Sequence, residues 1–386
     1  MKLLRVLVVD DSVVMRTMMR EALSQDPDVA IAGVAANGKI ALSMLEQVTP
    51  DAVTLDIDMP EMDGLETLKL LRERYPKLPV VMFSALSEKG AASTLDALAM
   101  GADDYVTKPS NVNGPTEGME RIRSELLPKL KALCGLHSGR SAAYEKSVHV
   151  PTDVQLPPFN WREEIRAAAR GTPAEMALPL TLSPRASARI DVVAIGTSTG
   201  GPNALAEVVP LLPKDLPVPV VIVQHMPPTF TRFLAERLNS TSAIPVVEAS
   251  AGDRLEPGKA WIAPGDFHMT VRLDHTGVCI GTNQDERENS CRPSVDVLFR
   301  SVAEVYGANT LAVVMTGMGQ DGLRGCEHIK RVGGQIIVQD EASSVVWGMP
   351  GFIAKAGLAD RTLPLAEIGG EIVRRVSQRA GVANTY

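Results

Sequence analysis

Short apolar runs alternate with longer segments of helical periodicity through the first third of the chain. The apolar runs are Val6–Val9, Val29–Ala32, Ala52–Leu55, Val80–Phe83 and Tyr105–Val106. The helical segments are Val13–Ser24, Lys39–Glu46, Leu65–Tyr75, Ala91–Met100 and Glu117–Leu133. Strict alternation of strands and helices is typical of a parallel sheet that is covered on both faces. We therefore predict a doubly wound, five-stranded parallel α/β domain over residues 1–133.

The pattern changes between residues 134 and 188. Ser-Gly, Pro-Thr, Leu-Pro-Pro and Ser-Pro steps replace the regular strand pattern there. Such steps are typical of turns and loops. We predict that this stretch is a linker between two domains.

The alternation resumes over residues 189–386, where we predict a second α/β domain with a mostly parallel sheet. Strands are predicted near Val192, Val220, Val246, Leu311 and Ile336, and helices near Ala204, Phe230, Val295, Leu323 and Ile368. One region departs from this pattern, because Pro-Gly-Asp and His-Thr-Gly turns separate three short apolar runs, Trp261–Ile262, Met269–Leu273 and Val278–Ile280. We interpret that region as an antiparallel hairpin insertion.

Composition narrows the class of protein. The 386 residues carry a net charge of −7, which argues against a nucleic-acid binder because attraction to phosphates needs a clustered positive face. The four cysteines are scattered, so neither a disulfide framework nor a zinc site is predicted. The apolar run at the amino terminus is too short for a signal peptide or a membrane span. We expect a cytoplasmic protein that is not inserted in a membrane.

Polar residues follow the predicted strands of the first domain. Asp10 and Asp11 end the first strand, Asp56 ends the third, Ser84 follows the fourth and Lys108 follows the fifth. The carboxyl ends of parallel strands meet at one edge, and converging carboxylates favour a hard cation such as Mg²⁺. Asp56 could then accept a phosphoryl group. Taken singly, each residue has a simpler explanation as a helix cap or a solvated charge.

These residues lie in motifs that resemble response-regulator receiver domains. The motifs are Val8–Ser12, Leu55–Gly64, Ser84–Ala85 and Gly101–Pro109. The resemblance implies that Asp56 is phosphorylated. It also implies that Asp11, Asp56 and the Asp58 main chain surround Mg²⁺ with Asp10 beside them, that Ser84 and Lys108 hold the phosphate, and that Tyr105 reorients on activation.

Three strand ends of the second domain also present reactive side chains. Ser198 follows Val192–Ile195 in a Gly-rich turn, His225 follows the strand near Val220, and Asp321 follows the strand near Leu311. Because the carboxyl ends of parallel strands meet at one edge of a sheet, we expect these three side chains to lie close together, as in a serine-hydrolase triad.

Alternatives to this triad remain open from the residues alone. A Gly-rich turn also binds nucleotide phosphates, although the turn around Ser198 lacks both the dinucleotide and the P-loop signatures. His268 is a rival to His225, and Asp321 could instead cap the helix near Leu323.

The second domain resembles the catalytic domain of the chemotaxis protein-glutamate methylesterase (CheB) family. The motifs are Gly196–Pro202, Gln224–Pro227, Ala263–Gly265, Arg292–Asp296 and Thr316–Gly322. The resemblance implies that Ser198 is the nucleophile, His225 the general base and Asp321 the orienting acid, with oxyanion stabilisation near Thr199 and Met318.

The same resemblance implies the reaction and its partners. The substrates are glutamate γ-methyl esters on methyl-accepting chemotaxis receptors, and specific receptor glutamines are also deamidated. Ester hydrolysis needs no cofactor, phosphorylation of the receiver needs Mg²⁺, and a chemotaxis histidine kinase is the phosphodonor.

Two other classes of function compete with the hydrolase. A noncatalytic, phosphorylation-switched binding protein would use the Gly-rich turns only to hold a ligand or partner. A receiver-coupled DNA regulator is disfavoured, because the second half shows no basic recognition helix.

Overall fold

Two parallel sheets organise the chain, one on each side of the predicted linker. A computed structural model describes residues 3–109, 114–135 and 189–377. Residues 136–188 of the predicted linker lie outside the described residues. The two sheets confirm the predicted α/β class.

The N-terminal sheet has five parallel strands in the order β2-β1-β3-β4-β5. Its strands are β1 (Leu4–Val9), β2 (Val29–Ala35), β3 (Ala52–Asp56), β4 (Val80–Ser84) and β5 (Asp104–Thr107). Its helices are α1 (Val13–Ser24), α2 (Gly38–Val48), α3 (Gly64–Arg74), α4 (Glu88–Ala99) and α5 (Pro115–Leu133). The chain reverses direction across the sheet between β1 and β3, and ligands bind at such a switch point in open α/β sheets.

Side-chain caps set where four of these helices begin. Ser12, Asn37, Asp63 and Ser87 each accept a hydrogen bond from a backbone N–H in the first turn of the following helix. Such a cap satisfies an N–H group that has no partner inside the helix. The caps place the helix starts directly after the loops at the carboxyl edge of the sheet.

The C-terminal sheet has seven parallel strands in the order β14-β13-β12-β6-β7-β9-β8. Its strands are β6 (Val192–Thr197), β7 (Val220–Gln224), β8 (Val246–Glu248), β9 (Ala260–Ile262), β12 (Thr310–Val314), β13 (Gln335–Gln339) and β14 (Arg361–Leu363). The helices of this half are α6 (Gly201–Val208), α7 (Phe230–Thr241), α8 (Val295–Tyr306), α9 (Leu323–Arg331), α10 (Met349–Lys355) and α11 (Leu365–Ser377). The central strands β6, β7 and β12 are buried along their whole length, as expected for a parallel sheet with helices on both faces.

The predicted hairpin insertion is confirmed for two of its three apolar runs. Strands β10 (His268–Asp274) and β11 (Gly277–Asn283) pair antiparallel in a separate two-stranded sheet. The assignment of Trp261 to this insertion was wrong, because Trp261 lies in β9 and pairs parallel with Val221 of the main sheet. A fully buried strand of three residues has no alternating pattern that could distinguish these two settings.

The two halves contact each other through α4, α6 and α7. Asn203 Nδ2 donates to the Leu98 carbonyl at 2.9 Å, and Arg237 pairs with Asp96 at 2.7 Å. A second ion pair joins Arg232 to Glu88. No helix in the described ranges combines the length and the apolar character needed to cross a bilayer.

Candidate active site

The carboxyl ends of β6, β7 and β12 converge at the centre of the C-terminal sheet. Strand β6 is the switch point there, because the chain continues to β7 on one side and returns through β12 on the other. Ser198 N donates to the Thr316 carbonyl at 3.0 Å, and His225 N donates to the Thr197 carbonyl at 3.2 Å. Backbone hydrogen bonds therefore join the Ser198 loop to the loops after both neighbouring strands.

Gln224 fixes the spacing between the Ser198 and His225 loops. Its Nε2 donates to the Ser198 carbonyl at 3.0 Å and to the His225 carbonyl at 3.3 Å. Its Oε1 accepts from Thr197 Oγ1 at 2.6 Å. Gly201 leaves room for this buried amide, since a Cβ at position 201 would lie 1.9 Å from Gln224 Oε1.

Asp321 holds the His225 ring and is itself surrounded by hydrogen-bond donors. The carboxylate is 2 % exposed and accepts six hydrogen bonds. The donors are His225 Nε2 (2.8 Å), Val295 N (2.7 Å), Asp296 N (3.0 Å), Gly322 N (3.1 Å), Ser294 Oγ (2.8 Å) and Asn289 Nδ2 (2.8 Å). Burial alone would raise the pKa of Asp321, but the bonds from His225 and the backbone lower this pKa to about 2. Asp321 is therefore a carboxylate at neutral pH.

Asp321 also caps a helix, though not the one that the sequence suggested. The amides of Val295 and Asp296 begin α8, and both donate to Asp321. Ser294 precedes α8 but makes no cap of its own, because its hydroxyl donates to Asp321. The positive end of the α8 dipole stabilises the carboxylate charge, so the capping and orienting roles are compatible.

The second ring nitrogen of His225 faces a cysteine. Cys291 Sγ lies 3.5 Å from His225 Nδ1. Burial would lower the pKa of His225, but its contacts with Cys291 and Asp321 raise this pKa above its ordinary value. The pocket therefore stabilises the protonated imidazole that a general base becomes during acyl transfer.

Ser198 lies at the same edge but is not hydrogen-bonded to the imidazole. Within the described ranges, the structure shows no hydrogen bond between Ser198 Oγ and His225. Because Nε2 is held by Asp321, a proton from Ser198 would have to go to Nδ1, the nitrogen that also faces Cys291.

His268, the alternative to His225, is occupied by the backbone. Its Nε2 lies 3.0 Å from the Glu286 carbonyl, and its Nδ1 accepts from Ser294 N at 3.2 Å. The structure brings His225, not His268, into contact with Asp321.

The two expected oxyanion residues lie in the loops after β6 and β12. Thr199 is buried, and its carbonyl accepts from Thr316 Oγ1 at 2.9 Å. In the part of the chain that the structure describes, neither the Thr199 amide nor the Met318 amide donates to another protein group.

A second cluster of polar side chains occupies the switch point of the N-terminal sheet. Carboxylate oxygens of Asp10, Asp11 and Asp56 lie within 4.8 Å of one another. Lys108 Nζ lies 2.7 Å from Asp56 Oδ2 and 3.1 Å from Asp10 Oδ2. Burial, with a contribution from Asp10, raises the pKa of Asp56 to about 6 although Lys108 opposes it. Close carboxylate oxygens are the donor set that Mg²⁺ prefers, so these residues fit the predicted ion.

Three other residues predicted around this cluster have different contacts. Ser84 Oγ donates to the Gly90 carbonyl at 3.1 Å, and the exposed Asp58 side chain pairs with Lys89 at 2.8 Å. Tyr105 is buried, and its ring stacks on Phe230 of the C-terminal half at 5.0 Å between centroids. The predicted switch tyrosine thus lies in the contact between the halves.

Sequence reasoning missed four side chains around the triad. Gln224 hydrogen-bonds to the Ser198 carbonyl, Ser294 and Asn289 donate to Asp321, and Cys291 contacts the imidazole. Gln224 and Ser294 lie inside motifs that the family resemblance had singled out, but their polar partners are distant in sequence. Cys291 and Asn289 had no recognisable signal.

Comparisons with known proteins show which family the chain is similar to. The CheB methylesterase family model matches residues 193–372, and the response regulator receiver domain model matches residues 6–117. A protein from Trichodesmium erythraeum named protein-glutamate methylesterase/protein-glutamine glutaminase is 48% identical over 96% of this chain and 99% of its own. A protein of the same name from Nocardioides is 46% identical over 97% of this chain and 96% of its own.

A solved structure is also similar to the C-terminal half. The crystal structure of the Thermotoga maritima CheB methylesterase catalytic domain is 43% identical, with a TM-score of 0.47, and the match covers 48% of this chain and 98% of that one. The two family models and the full-length relatives support the hydrolase prediction and not the noncatalytic binding alternative. The chain therefore belongs to the CheB methylesterase family and includes a response regulator receiver domain.

Proposed function

We propose that Ser198, His225 and Asp321 catalyse ester hydrolysis in this chain. His225 Nδ1 takes the Ser198 proton as Oγ attacks the ester carbonyl carbon, while Nε2–H continues to donate to Asp321. The tetrahedral intermediate collapses, His225 protonates the leaving alkoxide, and methanol departs. Water then attacks the acyl-enzyme by the same route and releases a carboxylate.

The observation that supports this proposal best is the His225–Asp321 pair. A neutral base is useful only when its tautomer is fixed, and the 2.8 Å bond to a fully ionised carboxylate places the proton on Nε2. Gln224 joins this base to the Ser198 loop. The amides of Thr199 and Met318 are the proposed oxyanion donors, and we propose no cofactor for this step.

We propose glutamate γ-methyl esters of methyl-accepting chemotaxis receptors as substrates. The named relatives are both methylesterases and glutaminases. An amide passes through the same tetrahedral geometry as an ester, so we also propose deamidation of specific receptor glutamines.

We propose that residues 1–133 form the receiver domain, residues 189–386 the catalytic domain, and residues 134–188 the linker. Receiver membership implies Mg²⁺-dependent phosphorylation in general. In this chain Asp11, Asp56 and the Asp58 main chain would hold Mg²⁺ beside Asp10, and the ion would neutralise phosphoryl charge. Asp56 accepts the phosphoryl group from a chemotaxis histidine kinase.

The remaining receiver residues would serve the phosphorylated state. Lys108 already contacts Asp56 and would pair with a phosphate oxygen. Ser84 would turn from the Gly90 carbonyl towards the phosphate, and Tyr105 would respond to that movement. The cytoplasmic location stays a prediction.

We propose that phosphorylation loosens the contact between the receiver and the catalytic domain. Helix α6 begins three residues after Ser198, and Phe230 begins α7 shortly after His225. Receiver groups contact both helices, at Asn203 and through the ring of Tyr105. A phosphoryl group adds a charge of about −1.5 to −2, which can shift this contact and open the catalytic edge.

Methanol release from methylated receptor membranes tests the catalytic proposal. We expect Ser198→Ala to lower kcat by at least about 10⁴-fold, because the covalent path is lost. Ser250→Ala is a matched control, since it removes an exposed hydroxyl outside the site. Near-normal turnover by Ser198→Ala would refute the assignment.

A small-molecule phosphodonor tests the regulatory proposal in the same assay. We expect it to stimulate the wild-type protein and to leave Asp56→Asn unstimulated. Equal stimulation of the two proteins would contradict the assignment of Asp56.

A further inference from the structure

A thiol and an imidazole nitrogen face each other beside the catalytic edge. Cys291 Sγ lies 3.5 Å from His225 Nδ1, and the two residues are 66 positions apart in sequence. Cys291 is partly accessible, whereas Cys279 and Cys326 are buried. The sequence predicted no zinc site because neither residue belongs to a local metal-binding spacing.

The separation of the two atoms suits a shared metal ion. Zn²⁺ binds cysteine sulfur at about 2.3 Å and histidine nitrogen at about 2.0–2.1 Å, in a tetrahedral arrangement. Those bond lengths put sulfur and nitrogen about 3.5 Å apart. The observed 3.5 Å therefore matches the separation expected for two ligands of one Zn²⁺.

The other ring nitrogen of His225, Nε2, makes the kind of hydrogen bond that is usual for a metal-binding histidine. A metal-binding histidine usually donates its other N–H to a carboxylate, which fixes the ring and increases its basicity. Asp321 has this position, 2.8 Å from His225 Nε2. Asp321 lies close to Cys291 and His225, but it is not a ligand of the same ion, because the two ring nitrogens point to opposite sides.

We propose that His225 Nδ1 and Cys291 Sγ form an inhibitory Zn²⁺ site. This inference rests on the proposed function, because an ion on Nδ1 occupies the lone pair that would take the Ser198 proton. Binding releases the thiol proton, together with any proton that Nδ1 carries, to solvent, so the bound groups are a thiolate and a neutral imidazole. Water completes the coordination, so the site is open and its affinity is below that of a four-ligand structural zinc site.

Co²⁺ substitution tests the site without relying on catalysis. Co²⁺ bound to a thiolate gives a near-ultraviolet charge-transfer band, which ions held only by oxygen or nitrogen do not give. We expect this band in the full-length wild-type protein, in Ser198→Ala and in Cys134→Ser. We expect its loss in Cys291→Ser. Cys134 is a matched control because it is partly accessible, like Cys291, and lies in the N-terminal half.

Inhibition by Zn²⁺ is then measured as methanol release, with each protein compared with its own metal-free rate. We expect the Zn²⁺ concentration for half-inhibition to be at least tenfold higher for Cys291→Ser than for wild-type and Cys134→Ser, and a chelator to restore activity. Absence of the Co²⁺ band in the wild-type protein, or equal Zn²⁺ inhibition of Cys291→Ser, would overturn the site. A Co²⁺ band in a protein whose Ser198→Ala variant keeps esterase activity would instead support the metal site and refute the proposed catalysis.

Discussion

Replacing Asp321 by Asn tests both the electrostatics and the proton positions of the active site. Asn keeps one oxygen acceptor but replaces the other oxygen with an NH₂ group. The arrangement that loses fewest bonds puts NH₂ at the Oδ2 position, where it faces Val295 N and His225 Nε2. The buried Val295 N–H then has no acceptor. The new NH₂ group donates to His225 Nε2, so the imidazole must carry its proton on Nδ1 instead of Nε2.

The loss of stability expected for Asp321→Asn can be calculated in two ways. A buried N–H without a partner costs about 1–3 kcal/mol. The lowering of the pKa of Asp321 from 3.8 to about 2 corresponds to about 2 kcal/mol in favour of the ionised folded state. Both values describe the same interactions and are not added. We therefore expect the free energy of unfolding to fall by about 2 kcal/mol at neutral pH.

The contribution of the Asp321 carboxylate to the free energy of unfolding depends on pH. A folded-state pKa below the unfolded value gives stability that is present above about pH 4 and is lost as the pH falls through about 2. The difference in stability between wild-type and Asp321→Asn should therefore shrink over that range. Inversion of the tautomer should lower kcat by about 10⁴-fold.

Urea unfolding followed by tryptophan fluorescence measures the stability. Trp161 lies outside the described residues and is replaced by Phe in every variant, so that Trp261 and Trp347 of the C-terminal half report the transition. Asp296→Asn is the matched control, because burial and the Asp321 charge raise the pKa of Asp296 to about 6. We expect a smaller loss of stability for this control. Asp321→Asn activity within tenfold of wild-type, or an unchanged free energy of unfolding, would refute the reasoning.

Three further predictions concern the loops, the domain contact and the receiver. Gly201→Ala should displace the Gln224 amide and lower kcat for methanol release by about 10²-fold; a rate near wild-type would show that Gln224 does not position the loops. A double-mutant cycle of Tyr105→Ala and Phe230→Ala should give about 0.5–1.5 kcal/mol of coupling in urea unfolding, whereas additive effects would exclude a stabilising stack. Removing Mg²⁺ with a chelator should abolish labelling of Asp56 by a small-molecule phosphodonor, and added Mg²⁺ should restore it; labelling without the ion would contradict the proposed metal role.

Local pattern was sufficient for most of the architecture. Alternation of apolar runs and helical segments predicts both parallel sheets, because strands buried on both faces are continuous apolar runs and their connecting helices have a different period. Because the carboxyl ends of parallel strands meet at one edge of a sheet, the sequence alone also predicts that Asp10 lies near Asp56 and that Asp321 lies near the end of β7. Short elements were harder: β14 and α10 were not predicted, and β9 was given the wrong partner, because three to seven residues contain too little periodic signal.

The chain order of the motifs determined which side chains reach the two switch points, since the carboxyl ends of parallel strands share one edge. The family resemblance assigned roles to those side chains. Only the tertiary structure decided that His225, not His268, contacts Asp321, that Asp321 caps α8, and that Cys291 faces the imidazole. Those contacts join residues that are distant in sequence and depend on side-chain direction and on competition for buried donors, which no local pattern of residues encodes.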